Sequence, residues 1–415
     1  MGVKSADGHA LEMDAVYDTI CAGEWQWNGF DRLRARTRAD GMNAAKTGRR
    51  FGAVTACLLL AGAFAGVLPA QAARVRSAQT TAPLLYPALF GVAATSANDA
   101  WAVGQYQSAS GPLRTLIMHW NGTAWARVPS PNPDPAGDTL SGVAAVSATD
   151  AWAVGGRNGQ TLILRWNGKA WRQMPGPNLA GALAAVTVTS ATDAWAVGLD
   201  GPAGNQGIIE HWNGKAWTAM RSPVPTGNLD SVTATSASDV WAAGYSGNST
   251  VSHALVLHWN GTAWRRVSAP DPAGNGIFYG VAAASASDAW VVSGAAQKAL
   301  GVNKTVIEHW NGTAWTRVPS ANPKPGGGVL TGVSAASATD AWAVGIDEDF
   351  AFSFEIVIEH WDGTAWTLVN SPVTDGGLYG VTALSARDAW AIGGDTGGAL
   401  IEHWNGTRWS ATTVP

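Results

Sequence analysis

Residues 140–175 read LSGVAAVSATDAWAVGGRNGQTLILRWNGKAWRQMP. Four short runs rich in Val, Ile, Trp and Thr alternate with turn residues. The Asn167-Gly168 pair between two such runs is the strongest short-range hairpin signal. Asp150 stands just before the second run, where its carboxylate is expected to accept backbone N–H bonds and fix the turn. The stretch therefore predicts four antiparallel strands, a, b, c and d, and its near-two periodicity excludes an amphipathic helix.

The same unit is written seven times. Its first Trp recurs at Trp101, Trp152, Trp195, Trp241, Trp290, Trp342 and Trp390, every 43 to 52 residues. Each is followed by a second Trp, at Trp120, Trp166, Trp212, Trp259, Trp310, Trp361 and Trp404, and by a third five residues later. A repeat of this length decides the architecture. Seven four-stranded units imply an all-β, seven-bladed β-propeller over residues 89–415. One blade cannot bury both faces of its sheet, so blades stack and the ring closes. Ala and Gly suit the narrow strand a, as in Gly142-Val143-Ala144-Ala145, and Trp suits the widening outer wedge. No unit is split between the termini. The ring is then closed by packing alone or latched by a short extra strand from Thr81 to Leu89.

The remaining segments set the cellular context. Residues 42–72 read as a signal peptide: Met42, the basic Lys46, Arg49 and Arg50, an apolar run from Phe51 to Leu68, then Ala70-Gln71-Ala72 as an A-x-A cleavage site. Cleavage is favoured over retention as an anchor, so the signal segment, if uncleaved, is the one membrane link expected. Residues 1–41 form a polar extension read as a mis-annotated or disordered start, and 73–88 as a linker. Both cysteines, Cys21 and Cys57, lie before the cleavage site, so a secreted or cell-surface chain without disulfides is expected. The 343 residues after it carry a net charge of −5. That acidity argues against a nucleic-acid partner, which would want a basic face.

Three elements carry a family resemblance. They are Leu378-Tyr379-Gly380-Val381, Asp388-Ala389-Trp390-Ala391-Ile392-Gly393 and the turn Trp361-Asp362-Gly363-Thr364-Ala365-Trp366. The unit resembles Asp-box (BNR-type) propeller repeats, found in sialidase-like and photosystem-assembly-factor-like propellers. Asn replaces Asp in six of the seven c–d turns, Asp362 being the exception. The resemblance implies the fold. Asp-box turns are structural in that family, and such propellers host unrelated activities.

A catalytic residue is needed once, whereas the most conspicuous candidates recur from unit to unit. His119, His211, His258, His309, His360 and His403 precede the strand-c Trp, with Arg165 in the same slot of the second unit. Neighbouring blades hold such rings about 10 Å or more apart, whereas metal–nitrogen bonds are about 2.1 Å. They are expected to make a repeated structural hydrogen bond and no metal site. The Asp residues before strand b receive the same reading. Glu210, Glu308, Glu359 and Glu402, one residue ahead of four of these histidines, are expected to be solvated or paired. Asp347, Glu348 and Asp349 form an acidic run that could hold Ca²⁺, though a solvated loop is the expectation. No cofactor is implied.

The a–b and c–d turns are nearly invariant and share one end of each blade. The b–c loops (105–114, 200–207, 245–253, 295–304 and 346–355) and the d–a connections vary, and they share the other end. Loops on a rigid scaffold are where binding concentrates. The residue before the strand-a Gly-Val also varies, placing Phe90, Asp230, Tyr279 and Tyr379 at the channel mouth as candidate ligand-binding residues, with channel plugging as the alternative. The leading expectation is a secreted, monomeric, non-catalytic binding module for an extracellular glycan or protein. One alternative is a glycosidase or polysaccharide lyase at the channel mouth, for which Asp230 is the one acid in place. The other is a structural cell-envelope repeat protein.

Overall fold

The computed structural model describes residues 85–107, 111–200, 206–248, 251–270, 276–297, 302–321, 328–348, 354–412 and 414. The extension before Met42, the signal segment and both cysteines lie outside them.

Seven four-stranded antiparallel sheets follow one another along the chain, each built from one contiguous unit in the order a-b-c-d. Blade 2 is typical, with strands Asp138–Ser147, Asp150–Arg157, Gln160–Trp166 and Trp171–Gln173. Strand a is innermost. Blade 1 begins at Leu85, within the stretch read as a linker, and its strand a is the longest, Leu85–Ser96.

Among the described residues no strand is exchanged between the termini. Leu89, Ala102, Leu116, Met118 and Trp125 of blade 1 pack directly on Trp390, Ile392 and Ile401 of blade 7. Packing closes the ring, and Pro87 adds a contact by lying against Gly398 in the b–c turn of blade 7.

The tryptophans show how packing holds each boundary of the ring. Each strand-b Trp is buried against the strand-c and strand-d Trp of the next blade. Trp101 meets Trp166 at 5.1 Å and Trp171 edge-on at 5.2 Å. The same triad recurs at all seven boundaries, and at the seam Trp390 meets Trp120 at 5.1 Å and Trp125 at 5.2 Å. A buried Trp removes ~150–250 Å² from water, worth about 4–6 kcal/mol of transfer free energy. The seam therefore carries the same kind of stabilisation as any internal boundary.

Strand a carries a β-bulge in every blade. In blade 2, Leu140 pairs with Gly155 and Gly142 with Val154, which leaves Ser141 as the extra residue. The bulge brings backbones close: a Cβ on Gly155 would sit 2.1 Å from the Thr139 carbonyl oxygen. Gly142 lies equally tight against blade 3, where a Cβ would meet the Ala184 carbonyl at 3.0 Å. In five of the seven blades a glycine fills this slot; Ala185 and Ser231 fill it in blades 3 and 4.

Candidate functional site

The end formed by the a–b and c–d turns repeats one set of bonds. In the c–d turn of blade 1, Asn121 Oδ1 accepts the Thr123 and Ala124 N–H groups, both at 3.0 Å. Gly122 follows at φ 90°, packed against Asn98 of the a–b turn. The Trp120 indole N–H donates to Ala97 O at 3.0 Å, tying the two turns together. Asp362 fills the same role in blade 6, and the Thr364 hydroxyl with the Ala365 and Thr364 N–H groups lowers its pKa to about 2.

The Asp before strand b acts differently from the sequence expectation. Its carboxylate reaches across to strand c, and it ties its own turn through the Thr95, Thr189 and Thr235 hydroxyls, which donate to Asp99, Asp193 and Asp239 in blades 1, 3 and 4. His119, His211, His258, His360 and His403 share hydrogen bonds of 2.6–2.8 Å with Asp99, Asp193, Asp239, Asp340 and Asp388. In blade 5, His309 and Asp288 are 3.3 Å apart. The turn N–H is taken instead by a serine, as from Thr149 to Ser147 Oγ at 3.3 Å. The physical reason is that a partly buried imidazole gains more from a carboxylate than a solvent-facing N–H does. Each His ring also stacks on the strand-b Trp of its own blade at 4.0–4.2 Å. In blade 2, Arg165 replaces His, with two 2.8 Å bonds to Asp150 and its guanidinium 4.6 Å from the Trp152 ring centre. These seven positions are used for structure.

The opposite end carries the variation. Strands b and c run further into the b–c segments than the sequence suggested. In blade 4 they reach Asn248 and restart at Val251, pairing Tyr245 with Ala254 and Gly247 with Ser252. Backbone pairing continues there although the side chains are polar, because an antiparallel ladder once in register needs no apolar face to extend. The variable segments are therefore hairpins more than loops. Asp347 belongs to one of them, paired in register with Gly328 and Glu355, and its side chain is buried instead of solvated. Asp349 lies outside the described residues.

The candidate residues Phe90, Asp230, Tyr279 and Tyr379 are, with Ser141, Ala184 and Thr331, the bulge residues of the seven strands a. Bulges re-aim side chains and concentrate near functional rims. The bulge carbonyl abuts the preceding blade: a Cβ on Gly332 would meet Tyr379 O at 3.2 Å, and one on Gly380 would meet Phe90 O at 3.3 Å. The seven residues thus form one ring around the axis. All four candidates are half-buried. The Phe90 and Tyr379 rings lie 6.1 Å apart, and Tyr379 packs on the apolar seam between blades 7 and 1. Burial raises the Tyr379 pKa. Thr331 donates to Leu378 O at 2.7 Å. The carboxylate oxygens of Asp230 are covered. Asp230 is also the one acid of the ring, so a hydrolytic carboxylate pair has no second member there.

The sequence reading missed a set of buried acids. Glu210, Glu308, Glu359 and Glu402 are fully buried, not solvated. They project into the wedge toward the preceding blade. Ser371 Oγ donates to Glu402 at 2.6 Å, and Ser320 Oγ to Glu359 at 2.7 Å with the Ala321 N–H at 3.0 Å. Burial pushes the pKa of Glu210 and Glu402 up to about 7, offset in part by the hydroxyls of Thr161 and Ser371. It raises Glu359 as well. The Arg317 guanidinium lies 3.9 Å from Glu308. One signal was present in the sequence: the same slot holds Met118, Leu164 and Leu257 in the other blades, all buried.

No family model and no curated protein matches the chain. Solved structures do. The chain is similar to a propeller described as YCF48 bound to D1 peptide, at 14% identity and TM-score 0.52, over 78% of this chain and 95% of that one. It is similar to YCF48 from Cyanidioschyzon merolae at 17% identity and TM-score 0.51, over 78% and 97%. It is also similar to the WD40 propeller domain of Doa1 at 11% identity and TM-score 0.51, over 79% and 96%. At these identities the likeness is one of fold.

Proposed function

We propose that the chain is an exported, non-catalytic binding module of Asp-box type, acting as a monomer and engaging its ligand on the face made by the b–c hairpins and d–a connections. One observation carries this reading: one end repeats the same Asn, His–Asp and Trp bonds in blade after blade, while the other differs in every blade. A surface under purely structural demand would repeat at both ends. A protein or peptide is the leading ligand class, and a glycan the second. Among similar propellers, YCF48 is found with a bound peptide, and a large face edged by protruding hairpins suits an extended chain. Asp230 is covered and Tyr379 is packed into the seam, which favours contact through the hairpins over insertion into the channel. Phe90 and Tyr279 then contribute at the rim.

The test is a paired screen of the purified chain against peptide and glycan arrays, repeated with the Tyr279→Ala/Tyr379→Ala double variant and with a variant whose 245–253 hairpin is shortened. Binding weakened by the hairpin change supports the reading. Binding indifferent to the hairpin and the rim, yet lost when c–d turn residues are changed, would overturn it.

A further inference from the structure

Two d–a connections, which begin the variable face, are held by acids from a neighbouring blade. Glu402, on strand c of blade 7, accepts the Ser371 hydroxyl at 2.6 Å, and Ser371 Oγ in turn accepts the Val373 N–H at 2.9 Å. Glu359, on strand c of blade 6, accepts the Ser320 hydroxyl and the Ala321 N–H. Both carboxyls are fully buried. Glu402 lies in register with Ala391 and Ala411, and Glu359 with Ala343 and Leu368. Among the described residues no charged group acts on Glu402, whose environment is burial and the Ser371 hydroxyl; Glu359 has three donors, Ser320, Ala321 and Thr305.

We propose that Glu359 and Glu402 are proton-operated latches: protonated, they hold the d–a connections of blades 5 and 6 in place, and losing the proton to solvent releases those connections and changes the variable face. A buried carboxyl without a cationic partner is tolerated neutral and expelled when charged. Once ionised it gains by leaving the wedge for water, and the connection bonded to it then moves. The latch does not depend on what the face binds.

The fold supplies its own control. Blade 3 leads into its d–a connection with Ser222-Pro223-Val224, the same three residues as Ser371-Pro372-Val373. Val224 N–H likewise donates to Ser222 Oγ, at 3.3 Å. The residue of blade 4 in the Glu402 slot is Leu257. Val224 should therefore show no pH response.

Residue-resolved hydrogen exchange on the full chain between pH 5.5 and 8.5, corrected for intrinsic rates, tests this. If release lets Glu402 titrate as in water, Val373 protection falls about tenfold or more across that range. Val224 stays level. Glu402→Gln should flatten the Val373 response. Val373 tracking Val224 at every pH in the unmodified chain would overturn the proposal without any variant having to fold. A Val373 response that survives Glu402→Gln would also overturn it.

Discussion

Replacing Gly176 with serine should stabilise the protein. In the wedges before blades 6 and 7, the d–a connection supplies Ser320 to Glu359 and Ser371 to Glu402. In the wedge before blade 3 the matching residue is Gly176, and the Thr161 hydroxyl lies near the fully buried Glu210 without completing a well-directed hydrogen bond to either carboxylate oxygen. A Cβ on Gly176 would lie 3.6 Å from Glu210 Oε2, so a serine hydroxyl one bond further on reaches it. The closest obstacle, at 3.1 Å, is Ile163 Cδ1, the free end of a flexible side chain. A new buried hydrogen bond contributes about 0.5–1.5 kcal/mol. Removing a glycine restricts the unfolded chain for about 0.4–1 kcal/mol more. The expected gain is about 1–2 kcal/mol, read as a higher urea midpoint at unchanged slope. Gly176→Ala gains the chain-restriction part without the hydroxyl, and pairing each variant with Glu210→Leu removes the acceptor. If Gly176→Ser gains no more than Gly176→Ala, or gains equally in the Glu210→Leu background, the bonding argument is wrong.

Other expectations follow from the same geometry. Trp390→Ala should cost about 3–5 kcal/mol, the same within about 1 kcal/mol as Trp195→Ala; a much smaller cost in chemical unfolding would mean that the seam does not hold the ring. Burial raises the folded pKa of Glu402 to about 7 from its ordinary 4.5. The unfolded chain therefore releases this proton first, and stability falls as pH rises from about 4.5 through 7, then levels. The gap between wild type and Glu402→Gln should widen in favour of the variant by about 3 kcal/mol over that window; parallel stability–pH curves would refute it. Arg165→His should be nearly neutral, since six blades use His against the same Asp. Arg165→Ala, which strips Asp150 of its partner, should cost about 1–3 kcal/mol in the same unfolding assay.

Much of this molecule could be read from the repeat because blade geometry is local. Asn-Gly turns, alternation and a Trp at fixed offsets each specify a hairpin without reference to the rest of the chain. What stayed hidden is what forms between blades. The triad of Trp101, Trp166 and Trp171 spans a boundary that no single unit contains. Ser141 and Tyr379 could be placed near the axis, but that each is the extra residue of a bulge follows from pairing with strand b. Glu402 looked like a surface acid beside a polar His. Its burial comes from strand alternation, which puts it on the wedge face with Leu400 while His403 faces the Asp. Polar hairpins such as 245–253 resembled loops because alternation shows strands by their apolar face, and these have little of one. The ring residues Phe90, Asp230, Tyr279 and Tyr379 were found together, but how far each is covered was set by neighbours from the next blade.

The most direct test of the binding-face account is an exchange footprint of the purified chain with the tightest ligand found on peptide and glycan arrays. The account predicts new protection along the b–c hairpins and d–a connections, with the c–d turns at Asn121, Asn213, Asn311 and Asp362 unchanged. Protection centred on those turns, with the hairpins unchanged, would contradict it.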